Sequence, residues 1–220
     1  MFNVCPACGE YTVEKAVLCP GPVAVCPHCG HRHPFLQLPL FVITGASGSG
    51  KSTVALDLVP ILRGEAVVLE ADILWGPEFA APEDDYRRWR EIWVRLATNI
   101  GQAGRPVVLA GTFLPDQLEA LPERRYFSAV HVLGLVVDEV DLAERLRIRP
   151  QWRGSSRPDF IDAMIRVNRW IADNAAATTP PIRLLNTSEL SREETVAQAA
   201  IWVRRHMAEG QPCVAVPPEE

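Results

Sequence analysis

The chain has 220 residues, of which 48% are hydrophobic, 22% charged and 7% aromatic. Because this composition is ordinary for a globular protein, it excludes a disordered, a collagenous and a disulfide-scaffold protein. The net charge is −5 with no evident basic face, so nucleic acid is not an expected partner. No apolar run approaches the roughly 20 residues of a membrane span, and the first residues lack a signal-peptide pattern. We therefore expect a cytoplasmic protein without membrane contact.

Two cysteine pairs near the N-terminus share the pattern Cys-Pro-x-Cys-Gly, and 17 residues lie between Cys8 and Cys26. A CxxC turn brings two thiolates to one metal ion, and the glycine that follows can adopt the positive φ that turns backbone amides toward sulfur. The duplication predicts a tetrahedral zinc site of the zinc-ribbon kind. Its predicted ligands are Cys5, Cys8, Cys26 and Cys29.

Residues 1–38 form a small predicted module around this site. They contain few charges and no long periodic apolar stretch, so the metal should supply most of the folding energy. Cys19 is the competing zinc ligand, ranked below Cys26 because no cysteine follows it at three residues. Cys213, in a proline-rich segment, is expected to have no special role. We interpret the module as an element for stability or for homo-oligomer formation, with nucleic-acid binding as the alternative.

From residue 39 to residue 209, apolar runs alternate with amphipathic segments. Strand-like runs lie at 40–44, 66–70, 106–110, 129–137 and 182–185. Helical periodicity covers 82–103 and 138–148, and a capping box at Ser191 opens a helix through Met207. Short strands separated by helices predict an α/β fold with a five-stranded parallel sheet covered on both faces. Residues 210–220, with three prolines, are predicted to be a loose tail.

The first of these strands runs into a glycine-rich loop that reads Gly-Ala-Ser-Gly-Ser-Gly-Lys-Ser and satisfies GxxxxGK[ST]. Backbone amides in such a loop converge on phosphate oxygens, and the following helix N-terminus adds partial positive charge. Lys51 would bridge the β- and γ-phosphates, and the Ser52 hydroxyl would bind Mg²⁺. The predicted nucleotide-binding residues of this segment are Gly45, Ser47, Gly48, Ser49, Gly50, Lys51, Ser52 and Thr53.

Over roughly residues 40–208 the chain resembles the P-loop kinase family, in particular its small-molecule and nucleoside or nucleotide kinases. The resemblance implies the strand order 2-3-1-4-5 and transfer of the γ-phosphoryl group of ATP. It implies that Asp72, after the second strand, faces the acceptor hydroxyl, and that an arginine-rich lid follows the fourth strand. In that lid Arg149 and Arg153 would act on the phosphoryl group, Arg145 would pack on adenine, and Thr187 would border the base.

The third strand ends in Ala-Gly-Thr, without the aspartate of an ordinary Walker B strand. Metal support then falls to Ser52, Asp72 and water. Because motor ATPases and switch GTPases normally need that acid, and no NKxD motif is present, both classes are disfavoured. Gly111 and Thr112 are candidates for the acceptor pocket.

Aromatic residues are dense between Asp72 and Ile100, where some would stack on a planar acceptor. They are Trp75, Phe79, Tyr86, Trp89 and Trp93. The favoured function is therefore an ATP-dependent kinase acting on a hydroxyl of a nucleoside-like small molecule. The alternatives are a nucleotide monophosphate kinase, because Arg87, Arg88 or Arg90 could meet an anion, and a nucleic-acid end-processing protein that uses the ribbon.

Overall fold

The computed structural model describes residues 3–74, 76, 84–209 and 213–217. Strands β1 (Ala16–Leu18), β2 (Val23–Val25) and β3 (Arg32–Pro34) form an antiparallel sheet in that order. The remaining five strands pair in parallel in the order β5-β6-β4-β7-β8. Counted within that sheet, the order is 2-3-1-4-5, which confirms the expectation drawn from the resemblance. The bounds of these strands are Leu40–Gly45 (β4), Val67–Glu70 (β5), Val107–Ala110 (β6), Val130–Val136 (β7) and Ile182–Asn186 (β8).

The described residues form six α-helices, and two of them, Pro115–Glu119 and Pro158–Asn174, were not predicted. The segment after the fourth strand of the parallel sheet was expected to be an arginine-rich lid, yet Pro158 is the first residue of a 17-residue helix. Proline suits the first turn of a helix because its missing N–H has no partner there anyway. The helices are α1 (Lys51–Ile61), α2 (Arg87–Gly101), α3 (Pro115–Glu119), α4 (Glu139–Arg147), α5 (Pro158–Asn174) and α6 (Arg192–Ala208). None of the described helices is long and apolar enough to cross a lipid bilayer.

Alternate residues of each central strand serve opposite faces of the parallel sheet. Leu40 and Val42 join the core beneath α2 and α5, whereas Phe41 and Ile43 join the core beneath α1 and α6. All four side chains are at most 1% exposed. This two-sided burial explains why the strand reads as a continuous apolar run, as buried parallel strands do.

The parallel arrangement places the ends of all five strands at two edges of the sheet. The carboxyl edge carries the glycine-rich loop after β4, a 3-10 turn (Ala71–Leu74) after β5 and residues 111–114 after β6. Because α2 leads back to the amino end of β6, its first turn also lies at the carboxyl edge. The N-terminal module, in contrast, joins β4 at its amino end, about 20 Å along the strand from the loop.

Hydrogen bonds fix the N-terminal module to the amino edge of the sheet. The Tyr126 hydroxyl accepts from the Lys15 amide at 3.0 Å and donates to the Val13 carbonyl at 2.5 Å. Gln102, near the end of α2, accepts from the amide of Leu36 at 2.9 Å and donates to its carbonyl at 3.1 Å. The module is thus held by side chains from the larger domain.

The described part of the chain end is not loose, so this prediction was wrong for residues 213–217. Val216 exchanges two backbone hydrogen bonds with Val17, at 2.7 and 2.8 Å. Cys213 forms a disulfide with Cys19. The expectation that Cys213 has no role is therefore also wrong, and Cys19 is occupied elsewhere than in a metal site. The ordered chain end and the disulfide were both missed because Cys19 and Cys213 are 194 residues apart, and the residues around each of them do not indicate the contact.

Candidate active site and metal centre

The four cysteines of the duplicated pattern meet in one cluster, with all four sulfurs within 4.8 Å of one another. Cys5 and Cys29 sulfurs lie 3.7 Å apart, and those of Cys8 and Cys26 lie 3.8 Å apart. A tetrahedral zinc site with Zn–S bonds of about 2.3 Å has sulfur–sulfur separations of about 3.8 Å. The cluster therefore fits a zinc ion in both ligand type and spacing.

The two cysteine turns have the same backbone geometry. Gly9 donates its amide to the Cys5 carbonyl and Gly30 donates to the Cys26 carbonyl, both at 2.9 Å. The φ angles of these glycines are 78° and 71°, as the sequence predicts. The backbone amide of Cys8 helps to lower the pKa of the Cys5 thiol to about 6, whereas burial and the neighbouring cysteines raise the pKa of Cys8 and of Cys29.

Lys15 places a buried positive charge beside this cluster. The pairing of Ala16 with Val25 in the β1–β2 register puts Lys15 opposite Cys26, and the Lys15 side chain is only 1% exposed. Burial lowers the pKa of its ammonium, while the charges of Cys5 and Cys26 oppose that shift. A four-thiolate zinc site carries net negative charge, so this lysine suits it.

At the opposite edge of the larger sheet, Lys51 turns its ammonium back into the glycine-rich loop. Its Nζ donates to the carbonyl oxygens of Gly45 at 2.9 Å and Ala46 at 3.0 Å. Burial lowers the pKa of the ammonium to about 8; Asp72 opposes this shift and Arg149 adds to it. The loop thus encloses the Lys51 ammonium. Its present partners are neutral carbonyl oxygens, which phosphate oxygens could replace.

Asp72 is exposed and belongs to the 3-10 turn that follows β5. Its carboxylate acts electrostatically on both Lys51 and Arg149 and raises the pKa of each against the effect of burial. Asp72 therefore lies among the cations of the cleft.

Ser52 pairs with an acid that the sequence analysis missed. The Ser52 hydroxyl donates to Oε1 of Glu70 at 2.9 Å, and Glu70 is the last residue of β5. Hydroxyl and carboxylate oxygens are the donors that Mg²⁺ prefers, so the pair fits a magnesium site. The sequence did offer one indication, because Glu70 stands two residues before Asp72 at the end of a predicted strand. That end of the strand lies at the edge of the sheet that carries the loop.

Two residues expected to border the base are joined directly. Arg145, on α4, donates from Nη1 to the hydroxyl of Thr187 and from Nη2 to its carbonyl, both at 2.9 Å. The Thr187 hydroxyl also lies 3.3 Å from the carbonyl of Ser49 in the glycine-rich loop. Arg145, Thr187 and the loop thus form one contact network on the β7–β8 side of the cleft.

The other arginines of the proposed lid differ in their surroundings. Arg149 reaches the loop, where its Nη1 donates to the Ser47 hydroxyl at 2.9 Å. Arg153 is exposed in a 3-10 turn (Gln151–Arg153), with its guanidinium 4.9 Å from the ring centre of Trp152. Only Arg149 of these two contacts the loop among the described residues.

Not every predicted phosphate ligand can act through its side chain. Ser49 is fully buried, its amide donates to the Ala46 carbonyl at 3.1 Å, and its hydroxyl has no hydrogen-bond partner in the described part of the chain. Gly48 has a φ of 95°, and a Cβ atom there would lie 2.9 Å from Leu142 of α4. The Thr53 side chain is exposed in the first turn of α1, whose leading amides have no acceptor within the helix.

The segment after β6 links the loop to the β5–β6 side of the cleft. The Thr112 hydroxyl donates to the carbonyl of Gly45 at 3.1 Å. A Cβ atom at Gly111 would lie 2.5 Å from Phe113 and 2.8 Å from Ala71. Packing against Phe113 and Ala71 therefore explains why residue 111 is a glycine. The glycine does not by itself indicate close approach of an acceptor.

The aromatic wall proposed for the acceptor is largely core. Trp93 is fully buried, and Trp89 is 5% exposed and stacks on Phe113 with ring centres 4.9 Å apart. Tyr86 is partly buried at the start of α2. Trp75 and Phe79 lie outside the described residues. The helical spacing of the aromatic residues in α2 thus reflects burial against the sheet more than a binding surface.

No protein-family model matches the chain, and no curated protein sequence matches it. Solved structures do match. A sugar kinase from Janibacter sp. HTCC2649 superposes with a TM-score of 0.58 at 18% identity, over 76% of this chain and 95% of that one. A gluconokinase from Sinorhizobium meliloti 1021 gives 0.56 at 19% identity, over 78% and 94%.

Shikimate kinase from Acinetobacter baumannii, in complex with shikimate, is similar with a TM-score of 0.51 at 17% identity, over 78% of this chain and 96% of that one. Identity at this level establishes shared architecture and nothing finer. The chain thus has the fold of the P-loop kinases, with a four-cysteine module joined to the amino edge of its sheet.

Proposed function

We propose that the protein is an ATP-dependent kinase that transfers the γ-phosphoryl group to a hydroxyl of a small molecule. The observation that carries this proposal is the glycine-rich loop, whose Gly45 and Ala46 carbonyls accept from the Lys51 ammonium, with Asp72 near enough to act on that charge. The structural neighbours named as sugar, gluconate and shikimate kinases support the class of reaction, at the level of fold.

Phosphate binding would draw on groups that now bond within the chain. Lys51 would exchange the carbonyls of Gly45 and Ala46 for phosphate oxygens, and Arg149 would exchange the Ser47 hydroxyl. These exchanges need only side-chain movement, and the leading amides of α1, which have no acceptor within the helix, would add donors for an anion. Arg145, fixed by Thr187, would bound the space for the base.

The metal expected with ATP fits the hydroxyl of Ser52 and the carboxylate of Glu70. Mg²⁺ bound there would neutralise charge on the phosphates during transfer. Glu70 thereby supplies, from β5, the acid that β6 lacks. Asp72 is left free for the acceptor.

In the transfer step, the acceptor oxygen forms a bond to the γ-phosphorus as the bond from phosphorus to the ADP oxygen breaks. Asp72, which follows β5 at the carboxyl edge, would accept the hydroxyl proton as a general base. Lys51 and the lid cations Arg149 and Arg153 stabilise the charge that develops on the phosphoryl oxygens. We also propose that the four cysteines bind one zinc ion, with a structural role remote from this chemistry.

The nucleoside-like acceptor favoured by the sequence rested on aromatic stacking, and two of its aromatic residues are core. The proposal therefore specifies a hydroxyl-bearing small molecule and keeps nucleosides as one class to test. A nucleic-acid end-processing role has no support in the described surface of the ribbon, whose fixed cations are the buried Lys15 and the exposed Arg32.

The test is a scan of sugars, hydroxy acids and nucleosides with ATP and Mg²⁺, with ADP formation and phosphorylated product both measured. The proposal predicts acceptor-dependent ADP formation with one phosphorylated product per ADP. ATP hydrolysis that ignores every acceptor, or salt-sensitive binding to nucleic acid with phosphorylation of its ends, would contradict it.

A further inference from the structure

Trp152, in the 3-10 turn that follows α4, is an aromatic residue that the proposed transfer step does not use. It is 80% exposed, more than any other large hydrophobic residue in the described part of the chain. Burial of a tryptophan ring removes a large apolar area from water, and this ring gains almost none of that stabilisation. Core packing therefore does not determine where the Trp152 ring lies.

The segment that carries Trp152 is fixed on both sides. Before it, Arg149 donates to the Ser47 hydroxyl of the glycine-rich loop at 2.9 Å. After it, the buried hydroxyl of Ser155 donates to the Leu146 carbonyl of α4 at 3.1 Å. The chain thus keeps Trp152 three residues from a side chain that is bonded to the loop.

The Trp152 ring holds Arg153 close to a second arginine. The Arg153 guanidinium lies over the ring, 4.9 Å from its centre, within the range at which an aromatic face attracts a cation. Burial lowers the pKa of Arg149, and the charge of Arg153 lowers it further. The two guanidinium groups are therefore close enough to repel each other, and the contact with Trp152 helps to offset that repulsion.

Other arginines of the chain are held by acids instead. Arg192 bonds Asp57 and Arg204 bonds Glu65, each through two nitrogens. The Arg153 side chain has no ion pair in the described part of the chain. A carboxylate would neutralise this cation and compete with a phosphate for it, whereas an aromatic ring has no net charge. The ring therefore holds the guanidinium and leaves its full charge available to an anion.

We propose that Trp152 is a positioning residue for phosphoryl transfer, whose ring face keeps the Arg153 guanidinium beside Arg149 without neutralising it. This inference rests on the proposed kinase function and adds to it a residue that touches neither ATP nor acceptor. A phosphate in the loop would give the two arginines a shared anion, so attraction would replace their repulsion. Arg153 would then reach a phosphoryl oxygen by side-chain rotation from a position that is already near the loop.

The test measures acceptor-dependent transfer from ATP by Trp152→Leu, which keeps an apolar side chain and removes the ring. Its kcat should fall about two- to fivefold, the range expected for loss of an exposed cation–π contact, with KM for ATP unchanged. Trp152→Phe retains a weaker ring face and should lose less kcat than Trp152→Leu. Trp170→Leu is the matched control, because Trp170 is a partly exposed tryptophan of α5, and it should leave kcat unchanged.

A double substitution shows whether Trp152 acts through Arg153. In the Arg153→Ala background, Trp152→Leu should cause no further loss of kcat, because the cation that the ring holds is absent. An equal loss in both backgrounds would mean that Trp152 only supports the structure of the turn, and the inference would be wrong. Wild-type kcat in Trp152→Leu, or a raised KM for ATP with kcat unchanged, would also overturn it.

Should Trp152→Leu fail to fold, Trp152→Ser takes its place in both backgrounds, because serine suits an exposed position, and the same losses are expected. Failure of the kinase function is distinguishable from failure of this inference. A wild-type chain that transfers phosphate to no acceptor contradicts both. Transfer by the wild type that Trp152→Leu leaves unchanged contradicts only the role of Trp152.

Discussion

The groups at the two edges of the parallel sheet differ in whether the contacts that surround them are permanent. At the amino edge, four sulfurs face one another at tetrahedral spacing, and the module around them is tied down by Tyr126 and by the Cys19–Cys213 disulfide. At the carboxyl edge, Lys51 and Arg149 bond oxygens of the chain that phosphate oxygens would replace in the proposed function. We therefore interpret the amino edge as structural and the carboxyl edge as the proposed site of binding and reaction.

This contrast explains why burial alone does not identify function. Lys15 and Lys51, the only lysines of the chain, are both withdrawn from water and both have a lowered pKa. Lys15 lies among thiolates that remain in place, whereas Lys51 contacts neutral carbonyls. The surroundings of each lysine, and not its burial, indicate whether it has a structural or a chemical role.

The largest effect on turnover among the carboxyl-edge acids is expected at Asp72. Asp72→Asn removes the proton acceptor, and the loss should be about 10²-fold or more, within the usual range for general-base catalysis. ATP binding should persist, because Lys51 and the loop are intact. Turnover above about a tenth of the wild-type value, a barrier change under ~1.4 kcal/mol, would show that Asp72 is only a turn residue.

The next effect separates two arginines of the proposed lid. Arg153→Ala should lower turnover by roughly 10² with little change in ATP affinity, the scale for loss of one donor to developing charge. Arg145→Ala should instead weaken nucleotide binding, because Arg145 positions Thr187 beside the base site. Changes within about twofold for both variants, measured by steady-state kinetics and nucleotide titration, would contradict the assignment of both arginines to the nucleotide site.

A rise in pH is expected to have a smaller effect on kcat/KM for ATP. The Lys51 ammonium of the free enzyme loses its proton as pH rises through about 8, so kcat/KM for ATP should fall by about tenfold per unit above that value. In the complex, bound phosphates favour the charged form, so kcat should hold to higher pH. A kcat/KM that stays level up to about pH 10, where an ordinary lysine titrates, would contradict the assignment.

The smallest effect on catalysis should follow disruption of the amino edge. Cys26→Ser should abolish binding of about one zinc per chain and unfold the N-terminal module, because three thiolates cannot complete the tetrahedral set. Cys19→Ser is the matched control and should retain zinc, since Cys19 bonds Cys213. Zinc content by elemental analysis decides this. Metal lost from Cys19→Ser but kept by Cys26→Ser would reverse the ligand assignment.

What the sequence predicts correctly is what has a local signature. The five parallel strands, the paired cysteine turns and the loop with Lys51 each depend on residues that are close in the chain. The 17-residue helix α5 was missed because Pro158 indicates a loop unless it stands in a first turn. Glu70 and the Cys19–Cys213 pair depend on distances that only the folded chain sets.

The most direct test of the division between the two edges uses the two lysines in one assay. Transfer of label from ATP labelled at the γ-phosphate to the best acceptor is measured for Lys51→Ala and Lys15→Met, per folded molecule. The account predicts that Lys51→Ala loses about 10³-fold or more of the transfer, with zinc retained. Lys15→Met should keep transfer within about threefold while its zinc affinity falls about tenfold, the scale of an outer-shell change. Transfer by Lys51→Ala within about tenfold of the wild type, a change of only ~1.4 kcal/mol, would contradict the account.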